Sequence, residues 1–309
     1  MSITENSHTR IQNLYYQLAK EFYLLRDIKK TEHYYLRSNN PKSLYGLGCL
    51  YMHRNIEEFI YGEINSLKIS REIIDYNYIK AEYYFKQSNT PEALNNLGYL
   101  YESDKLGVPD YIKAKEYYEK SNTPQALCNL GHLYRLGDLG FPEYIKSKEC
   151  YKKSNLPDAL CYLGIFYETG KLGKSDYIKA KEYYEKSNTP KALFYLGGLY
   201  RDGNLGNPDY IKAKEYYEKS NIPEAWYKLG GLYSDGNLGN PDYIKAKEYF
   251  IEAKEHYENY QDNINNIKKL EILYDIIIKI NKILLKNTSK RKPEDNTSKI
   301  PNKRIKIEP

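Results

Sequence analysis

Most of what would mark an enzyme, a metal protein or a membrane protein is missing from this chain. Its 309 residues hold only four cysteines, Cys49, Cys128, Cys150 and Cys161, and no two of them form a C-x-x-C pair. The five histidines, His8, His33, His53, His132 and His256, are scattered without the spacing of metal ligands. There is no G-x-S-x-G elbow and no phosphate-cradling P-loop; the recurrent G-x-L-G stretches follow helical patterns, not strands. An enzyme would have to work through residues that these patterns do not expose, and no cofactor is expected. The opening MSITENSHTR lacks an apolar core, so no secretory leader is expected, and reduced thiols in an intracellular compartment follow. The most apolar stretch, residues 264–284, is interrupted by Glu271, Asp275, Lys279 and Lys282. A membrane span needs about 20 mostly uncharged residues, so no membrane partner is expected either.

Charge of one sign is also scarce, except at the C-terminal end. From Lys286 onward the composition turns polar, proline-bearing and charged, which predicts a disordered tail over 286–309. Eight basic residues against three acidic ones give that tail +5 of the whole chain's +6, leaving the rest near neutral. A near-neutral body argues against a basic groove for nucleic acid. Within the tail, Lys290, Arg291 and Lys292, then Lys303 and Arg304 after ten residues, resemble a bipartite nuclear-import signal. An incidental cluster in a lysine-rich chain is the competing reading. The cytoplasm or the nucleus is the expected location.

What the chain does have is one stretch written several times over. It reads TPQALCNLGHLYRLGDLGFPEYIKSKECYKKSN from Thr123 to Asn155, with near-copies on both sides. The prolines that open the copies, Pro91, Pro124, Pro157, Pro190 and Pro223, stand 33 residues apart. A fixed period of this size signals stacked repeats and overrides a reading as one compact globule. Within a copy, Leu127, Leu130, Gly131 and Tyr134 share one face of a helix, with Thr123 as its cap and Pro124 at its first position. Gly137 suits the left-handed residue after the last turn. A second helix is predicted from near Glu143, where other copies offer Asp110, Asp176, Asp209 and Asp242 as caps. Its buried face is Tyr144, Ser147, Cys150, Tyr151 and Ser154, while residues such as Lys113, Glu116, Glu119 and Lys120 read as a solvated face. One glycine recurs at Gly48, Gly98, Gly131, Gly164, Gly197 and Gly230. Each costs about 1 kcal/mol of helix propensity relative to alanine, which predicts close helix–helix packing at that position.

The pattern A-L-x-x-L-G-x-L-Y-x-x-G-x-L-G-x-P-D-Y-x-K-A-x-E-Y-Y resembles the Sel-1-like repeat, a relative of the tetratricopeptide repeat. It is met almost in full in LFYLGGLYRDGNLGNPDYIKAKEYY, from Leu193 to Tyr217. The resemblance implies an all-α fold, an α/α superhelical solenoid of about six helix-pair repeats, used as a protein–protein scaffold. Some secreted members staple each helix pair with two cysteines, and this chain has no such pairing. The richness in Asn, Ile, Lys and Tyr is similar to that of repeat proteins encoded by giant DNA viruses of amoebae.

In chain order, residues 1–40 read as a degenerate N-terminal capping pair. Ile11, Leu14 and Leu18 take first-helix positions, Ile28, Thr31, Tyr34 and Tyr35 the second-helix face, and Tyr15 the glycine slot. Residues 41–90 form a repeat with an insertion after Tyr51; the span from Tyr51 to Tyr78 exceeds that from Tyr101 to Tyr111 by 17 residues. Such an insertion either extends the helices or forms a short one, and loop elongation without function is the plainer account. Regular repeats follow at 91–123, 124–156, 157–189, 190–222 and 223–255, then a closing helix at 256–285 built on Ile264, Ile267, Leu270, Leu273, Ile276, Ile277, Ile280, Ile283 and Leu284.

Within the first helices the packing slots repeat and the intervening ones do not. The matching positions of tetratricopeptide relatives line the concave groove and hold peptides, so the resemblance implies a partner-binding role for the varying residues. These are Asn95, Asn96, Tyr99, Asn129, His132, Tyr162, Phe194, Tyr195, Tyr227 and Lys228. A periodic scaffold with non-periodic side chains is what selective binding needs. The expected function is a non-catalytic adaptor for a protein or peptide. An RNA-binding helical repeat protein is the first alternative and an enzyme the second.

Overall fold

The structure is a computed structural model of the chain and describes residues 4–53, 67–259 and 264–290. Among the described residues there are fifteen α-helices, one short 3-10 turn and no strand, so the all-α expectation holds. The helices fall into two compact units, divided between Thr189 and Pro190.

The first unit holds five helix pairs, each packed on the next. They are α1 (Thr4–Leu24) with α2 (Ile28–Ser38), α3 (Pro41–Met52) with α4 (Leu67–Ser88), α5 (Pro91–Glu102) with α6 (Tyr111–Ser121), α7 (Pro124–Leu136) with α8 (Tyr144–Ser154), and α9 (Pro157–Glu168) with α10 (Tyr177–Ser187). The second unit holds α11 (Pro190–Arg201) with α12 (Tyr210–Ser220), α13 (Pro223–Ser234) with α14 (Tyr243–Glu258), and the closing helix α15 (Ile264–Lys290).

Each pair after the first closes on a glycine and an aromatic ring. A Cβ added at Gly98, Gly131 or Gly164 would lie 2.5 Å from the ring of Tyr118, Tyr151 or Tyr184 on the second helix of the same pair. In the second unit Gly197 meets Tyr217 and Gly230 meets Phe250 in the same way. All four tyrosines are fully buried, so the ring takes the volume that the glycine leaves. Four of the predicted aspartates cap their helices; Asp110, for instance, accepts from the Lys113 amide at 3.0 Å. Glu143 stands at the same place without a side-chain bond.

The junction between repeats is as regular as the core. Ser121, Ser154 and Ser187 each donate an Oγ–H to the carbonyl of Pro91, Pro124 or Pro157 at 2.7 Å, tying the end of a pair to its own start. The asparagine that follows is left-handed, with φ of +47° at Asn122 and +53° at Asn155, a conformation that asparagine tolerates better than most L-residues. Its N–H donates to the carbonyl of the buried tyrosine, as Asn122 does to Tyr118. Thr90 and Thr123 then cap the next helix and the proline begins it, so two residues suffice for the link. Ser154→Ala should therefore cost about 1 kcal/mol in urea unfolding, whereas the exposed Ser175→Ala should cost almost nothing. Equal midpoints would remove the junction serine from the account of stability.

Two expectations need correction, and the insertion takes one of its two expected forms. The N-terminal pair is in a different register. Ser38 Oγ bonds the Gln12 carbonyl as Ser121 bonds that of Pro91, which places the fully buried Ala19, not Tyr15, in the glycine slot. Ile11 and Leu14 consequently face solvent. The insertion extends the second helix, as one of the two expected forms: α4 starts at Leu67, eleven residues before Tyr78, while residues 54–66 lie outside the described residues. The closing helix starts at Ile264 and runs to Lys290, past the expected end at 285. The rest of the tail, with Arg291, Lys292, Lys303 and Arg304, lies outside the described residues.

Candidate functional site

The residues singled out from the sequence fall into two sets, one in each compact unit. In the first unit they bind mainly to one another. The Gln125 amide donates to Asn129 Oδ1 at 3.1 Å, Asn129 Nδ2 to Asn95 Oδ1 at 3.2 Å, and Asn96 Nδ2 to Cys49 Sγ at 3.8 Å. This amide ladder links the first helices α3, α5 and α7 along one face. Beside it, His132 Nδ1 lies 2.8 Å from the Tyr151 hydroxyl. Tyr162 stacks on Tyr151 at 5.6 Å, meets His132 edge-on at 4.8 Å and lies under the Arg135 guanidinium at 4.7 Å. Cations over aromatic faces are attracted by the ring quadrupole, so Tyr162 is held on three sides. Only Tyr99, 43 % exposed, is presented openly to solvent.

Variation along the first helix does not always mean exposure. Cys128 and Cys161, in the slot before Asn129 and Tyr162, are only 2 % exposed and fill the core between pairs. Burial pushes the thiols of Cys128 and Cys150 up to about 11, which leaves them protonated and poor nucleophiles. Among the described residues no group of three or more His, Cys, Asp or Glu gathers as a metal site.

The second set is arranged otherwise. Phe194 packs on Tyr217 and Tyr195, and Tyr227 on Phe250, which leaves Phe194, Tyr227 and Lys228 along the wall of an open hollow of about 290 Å³. The opposite wall is Tyr257 from α14 with Lys269, Ile272 and Leu273 from α15, and Glu224 completes it. A second hollow of about 430 Å³ shares Tyr227 and Lys228 and continues past Arg201, Gly231 and Asp235 to Ile276. Periodicity could place the first wall because it repeats. The second wall could not be read, because α15 follows no repeat and was legible only as a closing helix.

The charges around the hollows are mostly committed. Lys269 Nζ donates to Glu224 Oε1 at 2.9 Å and to the Tyr257 hydroxyl at 3.3 Å, and sits 4.6 Å above the Tyr257 ring. Burial raises the Glu224 pKa, but the bond from Lys269, the residue's own backbone amide, the Lys269 charge and the Tyr257 hydroxyl together outweigh it and hold the carboxyl below its usual range. Burial and then the Glu224 charge push the Tyr257 phenol up. Arg201 makes a two-pronged bond to Asp202 at 2.6 and 2.8 Å. Lys228 differs: burial, and then the Arg201 charge, lower its pKa, and no carboxylate among the described residues lies within ion-pair distance of it.

Comparison with known proteins agrees with this architecture. The structure is similar to a Sel1 repeat protein from Oxalobacter formigenes, at 25 % identity and a TM-score of 0.55, covering 75 % of this chain and all of that one. It is also similar in fold to c5321, a protective antigen of uropathogenic Escherichia coli with an SLR fold, at 21 % identity and a TM-score of 0.53 over 94 % of this chain and 73 % of that one. None of the curated proteins matches the sequence at a significant level. The Sel1 repeat itself matches five times, at residues 91–122, 124–155, 157–188, 190–220 and 223–256, in the same register as the glycine–aromatic contacts and the serine junctions. With more than half of its length in five such matches, the chain belongs to the Sel1 repeat family.

Proposed function

We propose that this protein is a non-catalytic interaction scaffold that grips a protein or peptide along its first-helix face. Sel1 repeat proteins generally mediate protein–protein interactions and are generally not catalysts. The observation that carries the reading for this chain is the hollow beside Phe194, Tyr227 and Lys228, an aromatic, solvent-open concavity on residues that vary between repeats. Concave, mostly apolar surfaces with a few polar groups are the usual form of a binding site. No helix among the described residues is long and apolar enough to cross a membrane. An adaptor inside the cell, carried to the nucleus by the basic cluster at Lys290–Lys292 and Lys303–Arg304, fits this role. The compositional likeness to repeat proteins of giant DNA viruses of amoebae makes an amoebal lysate the first place to look for a partner.

The test is affinity capture from such a lysate with identification by mass spectrometry, using wild type and a variant with Asn96, Tyr99 and Tyr227 changed to alanine. These three side chains are at least partly exposed, so the variant should keep its fold by circular dichroism. A protein retained by wild type and lost by the folded variant is the expected result. Equal retention by both would move the interface off the first-helix face, and no retention by either would count against the scaffold reading. Retention that falls steeply with salt and is abolished by nuclease would favour RNA instead.

A further inference from the structure

We infer that the occupant of the hollow in the second unit is an acidic peptide segment bearing a bulky apolar side chain, with Lys228 selecting its carboxylate. This inference rests on the first-helix face being the binding surface and names the chemistry of what binds there. Two features carry it: the shape and lining of the hollow, and the state of its charges.

The lining calls for an apolar group. Phe194, Tyr227, Ile272 and Leu273 supply carbon surface from two opposed walls, and α15 closes the side that would otherwise be open. A volume of about 290 Å³ lies at the lower limit of small-molecule sites, which suits one or two side chains of a peptide better than a whole cofactor.

The charges call for an anion. Five charged side chains line the two hollows: Arg201, Glu224, Lys228, Asp235 and Lys269. Arg201 is occupied by Asp202, and Lys269 is occupied by Glu224. Asp235 is exposed at the far end of the larger hollow and accepts from the Ser234 hydroxyl at 3.1 Å. Lys228 is half-buried, lines both hollows and has no ionic partner among the described residues. The carboxylate whose charge reaches it, Asp202, is already bound by Arg201, so the partly desolvated ammonium has no charge-assisted bond of its own, and a ligand carboxylate would supply one. A basic segment would meet Lys228, Arg201 and Lys269 with no available buried carboxylate to receive it. A nucleic-acid backbone would need a row of available cations, and here Arg201 and Lys269 are engaged by Asp202 and Glu224, which leaves one ammonium among rings and aliphatic side chains.

The experiment selects short random peptides on the full-length protein and measures the affinity of fluorescein-labelled winners by anisotropy. Selected peptides should combine Asp or Glu with Leu, Ile, Phe or Trp. Their affinity should fall about tenfold with Lys228→Met, as for the loss of one charge-assisted contact, and further with Lys228→Glu. Changing the peptide's acidic residue to its amide should weaken binding to wild type and leave binding to Lys228→Met unchanged. Tyr227→Ala should weaken binding independently by opening the apolar wall. Lysine- or arginine-rich winners would overturn the inference. So would winners that are indifferent to Lys228→Glu yet lost on Asn96→Ala with Tyr99→Ala, although those would leave the first-helix surface standing. Winners indifferent to every first-helix substitution would overturn both the inference and the reading beneath it.

Discussion

Replacing Gly164 by leucine should destabilise the middle of the first unit by about 3 kcal/mol or more, with a drop in its thermal midpoint of roughly 10 °C. The argument is steric. A Cβ alone at residue 164 would lie 2.5 Å from the Tyr184 ring, and the remaining leucine carbons would enter space that the ring fills. Tyr184 is fully buried and its hydroxyl donates to Glu168, so the ring cannot swing aside without breaking that bond. The second unit contains its own control in two adjacent glycines of α13. A Cβ at Gly230 would lie 2.7 Å from Phe250, whereas one at Gly231 would meet nothing within 4 Å. Gly230→Ala should therefore destabilise, and Gly231→Ala should stabilise by up to about 1 kcal/mol, because alanine is the better helix former. Urea midpoints of the two single variants would decide the matter; stabilisation by both would show that helix propensity, not ring contact, governs this position.

Removal of the closing helix should be the second large effect. A chain ending at Asn259 loses Leu270, Leu273 and Ile280, which are buried against Phe250, Ala253 and Tyr257. At about 1.5–3 kcal/mol for each buried aliphatic side chain, the second unit should lose roughly 5 kcal/mol or more and expose an aromatic face. The protein carries a reporter for this. Its one tryptophan, Trp226, lies in α13 and packs edge-on to His256 at 6.2 Å, so tryptophan emission follows the second unit. The expected result is an early transition in tryptophan emission, followed by a later one in circular dichroism from the helices of the first unit. A single transition at the full-length midpoint would mean that α15 is not a structural cap.

How much of this was legible in the sequence depends on whether a residue obeys the repeat. The prolines, the aspartate caps and the packing glycines repeat, and each could be assigned from spacing alone. The N-terminal register could not be read from apolar residues, because Ile11 and Leu14 are exposed despite their character. It is set by a polar contact, from Ser38 to the Gln12 carbonyl, which spans 26 residues and leaves no periodic trace. The proposed binding face was half legible. Phe194, Tyr227 and Lys228 stood out by varying, but the varying slot of Phe194 and Tyr227 also holds Cys128 and Cys161, which are buried in the core. The wall supplied by Tyr257, Lys269, Ile272 and Leu273 depends on how α15 docks, which is a tertiary fact with no local signature.

The serine junction has a consequence at the level of the gene. The bond from Ser154 to Pro124 and the contact of Gly131 with Tyr151 both join residues of a single repeat, and the same is true of Ser121 with Pro91 and Gly98 with Tyr118. An unequal crossover between the segments that encode two such repeats would delete or duplicate 33 codons in frame. Every bond that closes a pair would survive it, because no pair depends on another for its own closure. Array length could then change in single recombination steps, while the two ends, which lack the repeated spelling, would stay outside the exchange.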